Sequence, residues 1–207
     1  NLDEGDELVS VRETDGEQKI LIATHDGMAV VFDETDVRAM GRTAVGVRGI
    51  KLREGDYVVG AARAQEGKEV LTITEKGYGK KTPVEEYRIT NRGGKGVAAH
   101  GLSEKTGALA SIATVDSEDD LMLITGEGMI IRTPVTDIPT YSRTAGGVRV
   151  MRLGEGEKIV NFAKVARATD EDIERADAEV PDDMPAQDDA EKITTPLVTE
   201  ETTDEEI

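Results

Sequence analysis

The sequence of 207 residues has no Cys and no Trp, and only 3% of its residues are aromatic. Without cysteine, disulfide scaffolds, thiolate zinc sites, iron–sulfur clusters and cysteine nucleophiles are excluded, and a reducing compartment is compatible with the chain. No apolar run approaches the roughly 20 residues that cross a bilayer as a helix, and no signal-peptide pattern opens the chain, so membrane and secretory readings fall away. Leu-rich runs are missing and hydrophobic content is 37%, which argues against a large helical core. Histidine is scarce too. His25 and His100 have no metal-ligand spacing, so a turn residue and a strand residue are expected, not a metal site. What the chain has in excess is glycine, with 22 residues, and acid, with 43 Asp and Glu against 25 Lys and Arg for a formal net charge of −18.

The acid is unevenly placed. Residues 169–207 hold 16 acids and 2 bases (Arg175 and Lys192), whereas residues 1–168 hold 27 acids and 23 bases. The chain is therefore a near-neutral body with an acidic tail. The tail has too few large apolar groups to offset the entropy of ordering, so 169–207 is expected to be mostly disordered. Thr169-Asp170-Glu171-Asp172 offers a capping-box-like start for one short helix before Ile173. The tail reads as a solubility appendage or as a competitor for cationic surface on the body.

The body is repetitive. Three stretches starting at Ile20, Val70 and Leu121 align without gaps: Gly27, Gly77 and Gly128 correspond, as do Asp36, Glu86 and Asp137; Val37, Tyr87 and Ile138; Arg42, Arg92 and Arg143; Gly46, Gly96 and Gly147; Leu52, Leu102 and Leu153. The period is 50 and then 51, the extra residue lying after Leu102. Each unit reads as strands. A short apolar run ending in Thr meets a Gly-containing turn and a second run, a hairpin signature, with Pro83 and Pro134 closing the second strand. A Gly-rich turn then leads to an alternating run such as Gly147-Val148-Arg149-Val150-Met151, and a fourth run follows at Tyr57–Ala62 and Lys158–Val165. Four strands in about 50 residues is the size of a propeller blade. The expected class is all-β and propeller-like, with four-stranded blades at 20–68, 69–119 and 120–168. Asp6–Gln18 aligns with Asp56–Lys68, so residues 1–19 are read as the last strand of an upstream blade.

Positive charge recurs in register. The aligned windows Val37–Leu52, Tyr87–Leu102 and Ile138–Leu153 contain ten bases and no acid: Arg38, Arg42, Arg48, Lys51, Arg88, Arg92, Lys95, Arg143, Arg149 and Arg152. For Arg42, Arg92 and Arg143, ordinary salt bridges to the acid six residues earlier are the competing reading. A basic stripe repeated once per blade would follow the rim, and a polyanion bound to it would be bent; duplex DNA is the expected polyanion. In Asn91-Arg92-Gly93-Gly94-Lys95-Gly96 the glycines let the main chain turn sharply and approach phosphate oxygens. No P-loop is present, because no Gly-Lys is followed by Ser or Thr.

These residues carry a resemblance. Asn91–Val97, with Gly77–Tyr87 before it, is similar to the β-pinwheel C-terminal domains of the gyrase and topoisomerase IV A-subunit family, over residues 1 to about 166. The resemblance implies about three blades of a six-bladed propeller relative that binds and wraps DNA in support of negative supercoiling. Arg92–Gly96 match the second half of the Gln-Arg-Arg-Gly-Gly-Lys-Gly box of gyrases, while Thr90 and Asn91 depart from its opening. The implied DNA contacts are the ten window bases, Gly93, Gly94 and Gly96, together with Lys80, Lys81 and Arg132. The implied partners are double-stranded DNA, the A-subunit N-terminal region and the B subunit in an A2B2 complex, in a bacterial cytoplasm beside the nucleoid, with no membrane. ATP and Mg belong to the parent complex, and no cofactor or catalytic residue is expected in this segment. Tyr57, Tyr78, Tyr87 and Tyr141 are not expected to cleave DNA, and Tyr87 occupies an apolar repeat position. Two alternatives stay open: a topoisomerase IV A-subunit domain acting in decatenation, and a propeller used for protein contacts.

Overall fold

The computed structural model describes residues 2–167, and the sequence expectations for the acidic tail, including the short helix near Thr169, lie outside the described residues. The described chain is all β apart from three 3-10 turns at Glu34–Asp36, Val84–Glu86 and Val135–Asp137. Its strands are β1 (Lys19–Thr24), β2 (Met28–Asp33), β3 (Val58–Arg63), β4 (Glu69–Thr74), β5 (Tyr78–Pro83), β6 (Val97–Ala98), β7 (Leu109–Val115), β8 (Asp119–Thr125), β9 (Ile130–Pro134), β10 (Val148–Arg149) and β11 (Ile159–Ala166). The hairpins fall where the Gly-containing turns placed them: β1 with β2, β4 with β5, and β8 with β9, all antiparallel. The second strand ends as expected at Pro83 and Pro134, where a 3-10 turn begins, since a proline cannot donate to a ladder.

The sheets do not coincide with the sequence units. Their orders are β3-β1-β2-β6, β10-β5-β4-β7 and β11-β8-β9. β6 belongs to the second repeat yet pairs with β2 of the first, and β10 of the third repeat pairs with β5 of the second. Each four-stranded sheet thus takes its outer strand from the following repeat. Among the described residues the third sheet has three strands. Val47-Arg48, the counterpart of β6 and β10, carries no strand, having no preceding β2-like edge among the described residues. Asp6–Gln18, read as a strand from sequence, has no strand assignment either, and Leu8 and Val11 are 73% and 72% exposed there. A strand is a property of a pair, and among the described residues these segments have no pairing strand.

The core lies between sheets. Val70 of β4 packs with Leu21, Ala23 and Val31 of the first sheet, whereas its neighbours Leu71 and Ile73 pack with Leu121, Leu123 and Ile138 around the third. Successive side chains face opposite ways, so a central sheet buries both faces and β4 shows an almost unbroken buried run. Each fully buried Leu or Ile contributes about 1.5–3 kcal/mol relative to exposure. Of the fourth runs, β7 abuts both β3 and β11, with Ser111 Oγ donating to Asn161 Oδ1 across 2.9 Å, which leaves β6 and β10 on the opposite, outer edge.

Candidate nucleic-acid interface

The outer edge is built the same way twice. Leaving its 3-10 turn, the chain crosses to the preceding sheet, where Ile89 bridges Val31 and Thr140 bridges Lys81 in parallel. Thr90 N–H donates to the Val31 carbonyl at 2.8 Å and Tyr141 N–H to the Lys81 carbonyl at 2.9 Å. A Gly-rich turn reverses the chain into β6 or β10. Gly96 and Gly147 sit at φ +74° and +67°, and a Cβ there would overlap the carbonyl of Ala29 or Gly79 on the receiving strand, so only glycine fits.

Successive windows are stitched together. Gly93 N–H donates to the Gly49 carbonyl at 2.5 Å and Lys51 N–H to the Gly94 carbonyl at 2.8 Å; the equivalent bond in the next repeat joins Gly101 N–H to the Ala145 carbonyl at 3.0 Å. The acid-free windows therefore run into one another along the edge. Arg38, Arg42, Arg48, Lys51, Arg88, Lys95, Arg149 and Arg152 are exposed on it.

Other expected contacts have different employment. Arg92 Nε donates to the Asp36 carbonyl at 2.9 Å and its guanidinium to the Arg48 carbonyl at 3.2 Å; Arg143 donates to the Ala98 carbonyl at 2.7 Å. The acids six residues earlier are not their partners. Glu86 instead accepts from the backbone N–H of Arg143 at 3.0 Å. These arginines clamp the carbonyls of the preceding repeat, half-buried, rather than presenting a free fork.

Lys80 is a correction to the sequence reading. It is 0% exposed, on a buried side of β5, and its ammonium donates to the Ser142 carbonyl at 2.6 Å, the Arg143 carbonyl at 2.7 Å and Thr82 Oγ1 at 3.2 Å. Burial pulls its pKa down to about 8, with Glu86 opposing and Arg143 adding to the fall. It cannot touch a phosphate; it holds the Arg143 turn from beneath. Lys81 is corrected for the same reason, being 9% exposed and paired with Glu69 at 3.0 Å. Arg132 is exposed but committed to Asp120 at 2.8 Å and to the Ala166 carbonyl at 3.2 Å. His100, 3% exposed, completes the underside of the same turn. Its Nε2 lies 3.1 Å from the Gly146 carbonyl, so Nε2 carries the proton and Nδ1 accepts from Thr72 at 2.9 Å. Burial, with Lys80 adding to it, lowers the imidazole pKa to about 4.

Two bases outside the windows join the surface. Lys76 and Lys105 share a groove with Tyr78, Arg149 and Arg152; Lys105 Nζ and the Arg149 guanidinium each lie 5.6 Å from the Tyr78 ring centre, and Arg149 also donates to the Tyr78 hydroxyl at 3.0 Å. Lys105 stands in the loop holding the extra residue after Leu102, the one sequence signal that marked it. Candidate metal-ligand atoms of His25, Asp26 and Asp56 come within 4.8 Å of one another. There Asp56 Oδ1 accepts from the backbone N–H groups of Asp26 and Tyr57, both at 2.9 Å, and clasps the loop.

The family described as DNA gyrase C-terminal domain, beta-propeller, matches residues 18–65, 68–116 and 119–166, the same three repeats. The DNA gyrase A subunit of Staphylococcus aureus strain MRSA252 is 47% identical over 182 residues, 87% of this chain and 20% of that protein. The DNA gyrase A subunit of Staphylococcus epidermidis strain ATCC 12228 is 49% identical over 172 residues, 82% of this chain and 19% of that protein. The chain thus spans about a fifth of the length of these relatives. A solved DNA gyrase A C-terminal domain superposes with a TM-score of 0.74 at 26% identity, covering 79% of this chain and 56% of the other. A solved C-terminal domain of DNA topoisomerase IV superposes at 0.75, also at 26% identity, covering 86% and 56%. Because the family match falls on all three repeats and more than half of the chain, this chain belongs to the DNA gyrase C-terminal domain family of β-propeller folds.

Proposed function

We propose that this chain binds duplex DNA along its outer edge and bends it, as the wrapping element of a type II topoisomerase that supercoils DNA. The observation that carries the reading is the stitching of the windows: Lys51 to Gly94 and Gly101 to Ala145 join stretches holding ten bases and no acid into one continuous cationic track. A polyanion is attracted along such a track without sequence preference. The exposed bases Arg38, Arg42, Arg48, Lys51, Arg88, Lys95, Arg149 and Arg152 contact phosphates, and Lys76 and Lys105 extend the track. Gly93 and Gly94 bring the backbone close and Gly96 seats the turn on the Ala29 carbonyl, while Arg92, Arg143 and Lys80 shape the turns and Arg132 ties β9 to Asp120 and the Ala166 carbonyl. The parent A2B2 complex, built with the A-subunit N-terminal region and the B subunit, supplies cleavage and, with Mg, ATP hydrolysis in a bacterial cytoplasm beside the nucleoid. Identities of 47% and 49% to gyrase A subunits favour gyrase over topoisomerase IV.

The test is salt-dependent binding to unrelated duplexes. Lys95→Ala is expected to weaken binding alike on each sequence and to lower the slope of log affinity against log salt by about 0.9, one phosphate contact. Sequence-selective binding, or an unchanged slope, would refute the phosphate role. Ligating nicked circular DNA in the presence of the chain should change its linking number if the DNA is wrapped.

A further inference from the structure

We propose that the groove walled by Lys76, Tyr78, Lys105, Arg149 and Arg152, at the joint of the second and third repeats, is a discrete phosphate-binding site. For its ligand the site rests on the DNA-binding reading: the phosphate is a backbone phosphate of the duplex lying on the track. The track is then uneven, with one anchor.

Repeat packing does not account for these residues. Lys76, Tyr78, Arg149 and Arg152 stand where the joint of the first and second repeats has Asp26, Met28, Ala98 and Gly101. Both joints are finished, with Arg149 opposite Tyr78 in one and Ala98 opposite Met28 in the other. A joint therefore closes without any of the four. Three of the four exchanges bring a positive charge, and the remaining one brings an aromatic ring. Lys105 is added from the loop that holds the extra residue after Leu102, which the corresponding loops after Leu52 and Leu153 do not have.

The cations are held in place before a ligand arrives. Tyr78 is 7% exposed, and Lys105 Nζ and the Arg149 guanidinium each lie 5.6 Å from its ring centre, close enough for the ring to attract both. The 3.0 Å hydrogen bond to the Tyr78 hydroxyl fixes Arg149 further and uses one of its five N–H donors. Lys76 donates to the Glu104 carbonyl, which tethers the Lys105 loop to the β4–β5 turn. Lys105, Arg149 and Arg152 are nonetheless exposed, so their charged ends meet solvent. Glu157, the one acid lining the groove, accepts from the Gly154 N–H at 3.1 Å. Two cations gathered at one ring repel each other, and an oxyanion placed between them turns that repulsion into attraction. A phosphate suits the pair, because a guanidinium offers a planar fork to two of its oxygens and an ammonium a point charge to a third.

The test uses the whole chain. Inorganic phosphate is titrated while the NMR signals of Tyr78, Lys105 and Arg149 are followed, and affinity for duplex DNA is measured at low salt for Lys105→Gln, Arg149→Gln and, elsewhere on the track, Lys51→Gln. Phosphate is expected to shift the three groove residues ahead of Arg38, Arg48 and Lys51. Lys105→Gln and Arg149→Gln should each weaken duplex binding by about tenfold, more than Lys51→Gln does. Lys105→Gln, on an exposed loop, carries the comparison if Arg149→Gln loosens β10. Duplex binding that Lys105→Gln weakens no more than Lys51→Gln overturns the proposal and leaves the DNA-binding reading standing. So does a phosphate titration that moves Tyr78 and Lys105 no sooner than the rest of the track. If the chain binds no duplex while phosphate still moves Tyr78 and Lys105, the DNA-binding reading falls and the phosphate site stands, its ligand then being a free phosphate.

Discussion

Lys80 and His100 look, by residue type, like groups for a ligand, yet both serve one turn of the main chain. Val30 and Ile131 occupy the repeat position of Lys80, so an apolar side chain fits that site. Lys80→Met should nonetheless leave the Ser142 and Arg143 carbonyls without their donor and lower stability by about 1–3 kcal/mol in urea unfolding. Amide exchange should quicken across Tyr141–Gly147, and unchanged exchange would mean the ammonium does not hold the turn. His100 gives a pH dependence of definite sign. Its folded pKa of about 4 lies below the ordinary value of 6.5, so the unfolded chain binds the proton first as pH falls. Stability is full above pH 6.5 and is lost as pH drops through that window towards 4, by about 2 kcal/mol from this residue between pH 7 and pH 5. Urea midpoints at the two pH values check this, and His100→Met should flatten the difference.

At the scale of the element, exchange of outer strands between repeats couples each sheet to the next. β6 has only two residues, so its place depends on the turn that delivers it. Gly96→Ala should therefore cost more than Gly55→Ala. Both glycines have positive φ, +74° and +75°, but a Cβ at Gly55 meets nothing within 4 Å, whereas one at Gly96 overlaps the Ala29 carbonyl. The left-handed conformation alone costs about 1–2 kcal/mol, and the overlap at Gly96 adds to it. Thermal unfolding of the two variants compares them, and equal losses would refute the close approach. The hairpins were legible because glycine, threonine and the closing prolines are local signals. Which sheet receives the third run was not, since the partner strand is far away in sequence and both choices satisfy the same alternation.

For the whole molecule, the acid-free track separates exposed charge from charge spent on backbone carbonyls. Arg92→Ala should lower the unfolding temperature, because two carbonyls lose a donor, while Lys95→Ala should leave it unchanged and weaken DNA binding with a reduced salt slope. If both variants lose binding and neither loses stability, Arg92 is a contact and not a clamp. The sequence by itself determined the repeats, the all-β class, the hairpins and the exclusion of acid from one equivalent stretch of each unit, because periodicity and charge order are written locally along the chain. Only the tertiary structure decided that the third run of the second and third repeats completes the preceding sheet. It also decided that Arg92, Arg143 and Lys80 are spent on backbone carbonyls and that Lys76 and Lys105 join the track. These outcomes depend on which polar groups meet when sheets pack, and a side chain's charge does not say whether a carbonyl or water will face it.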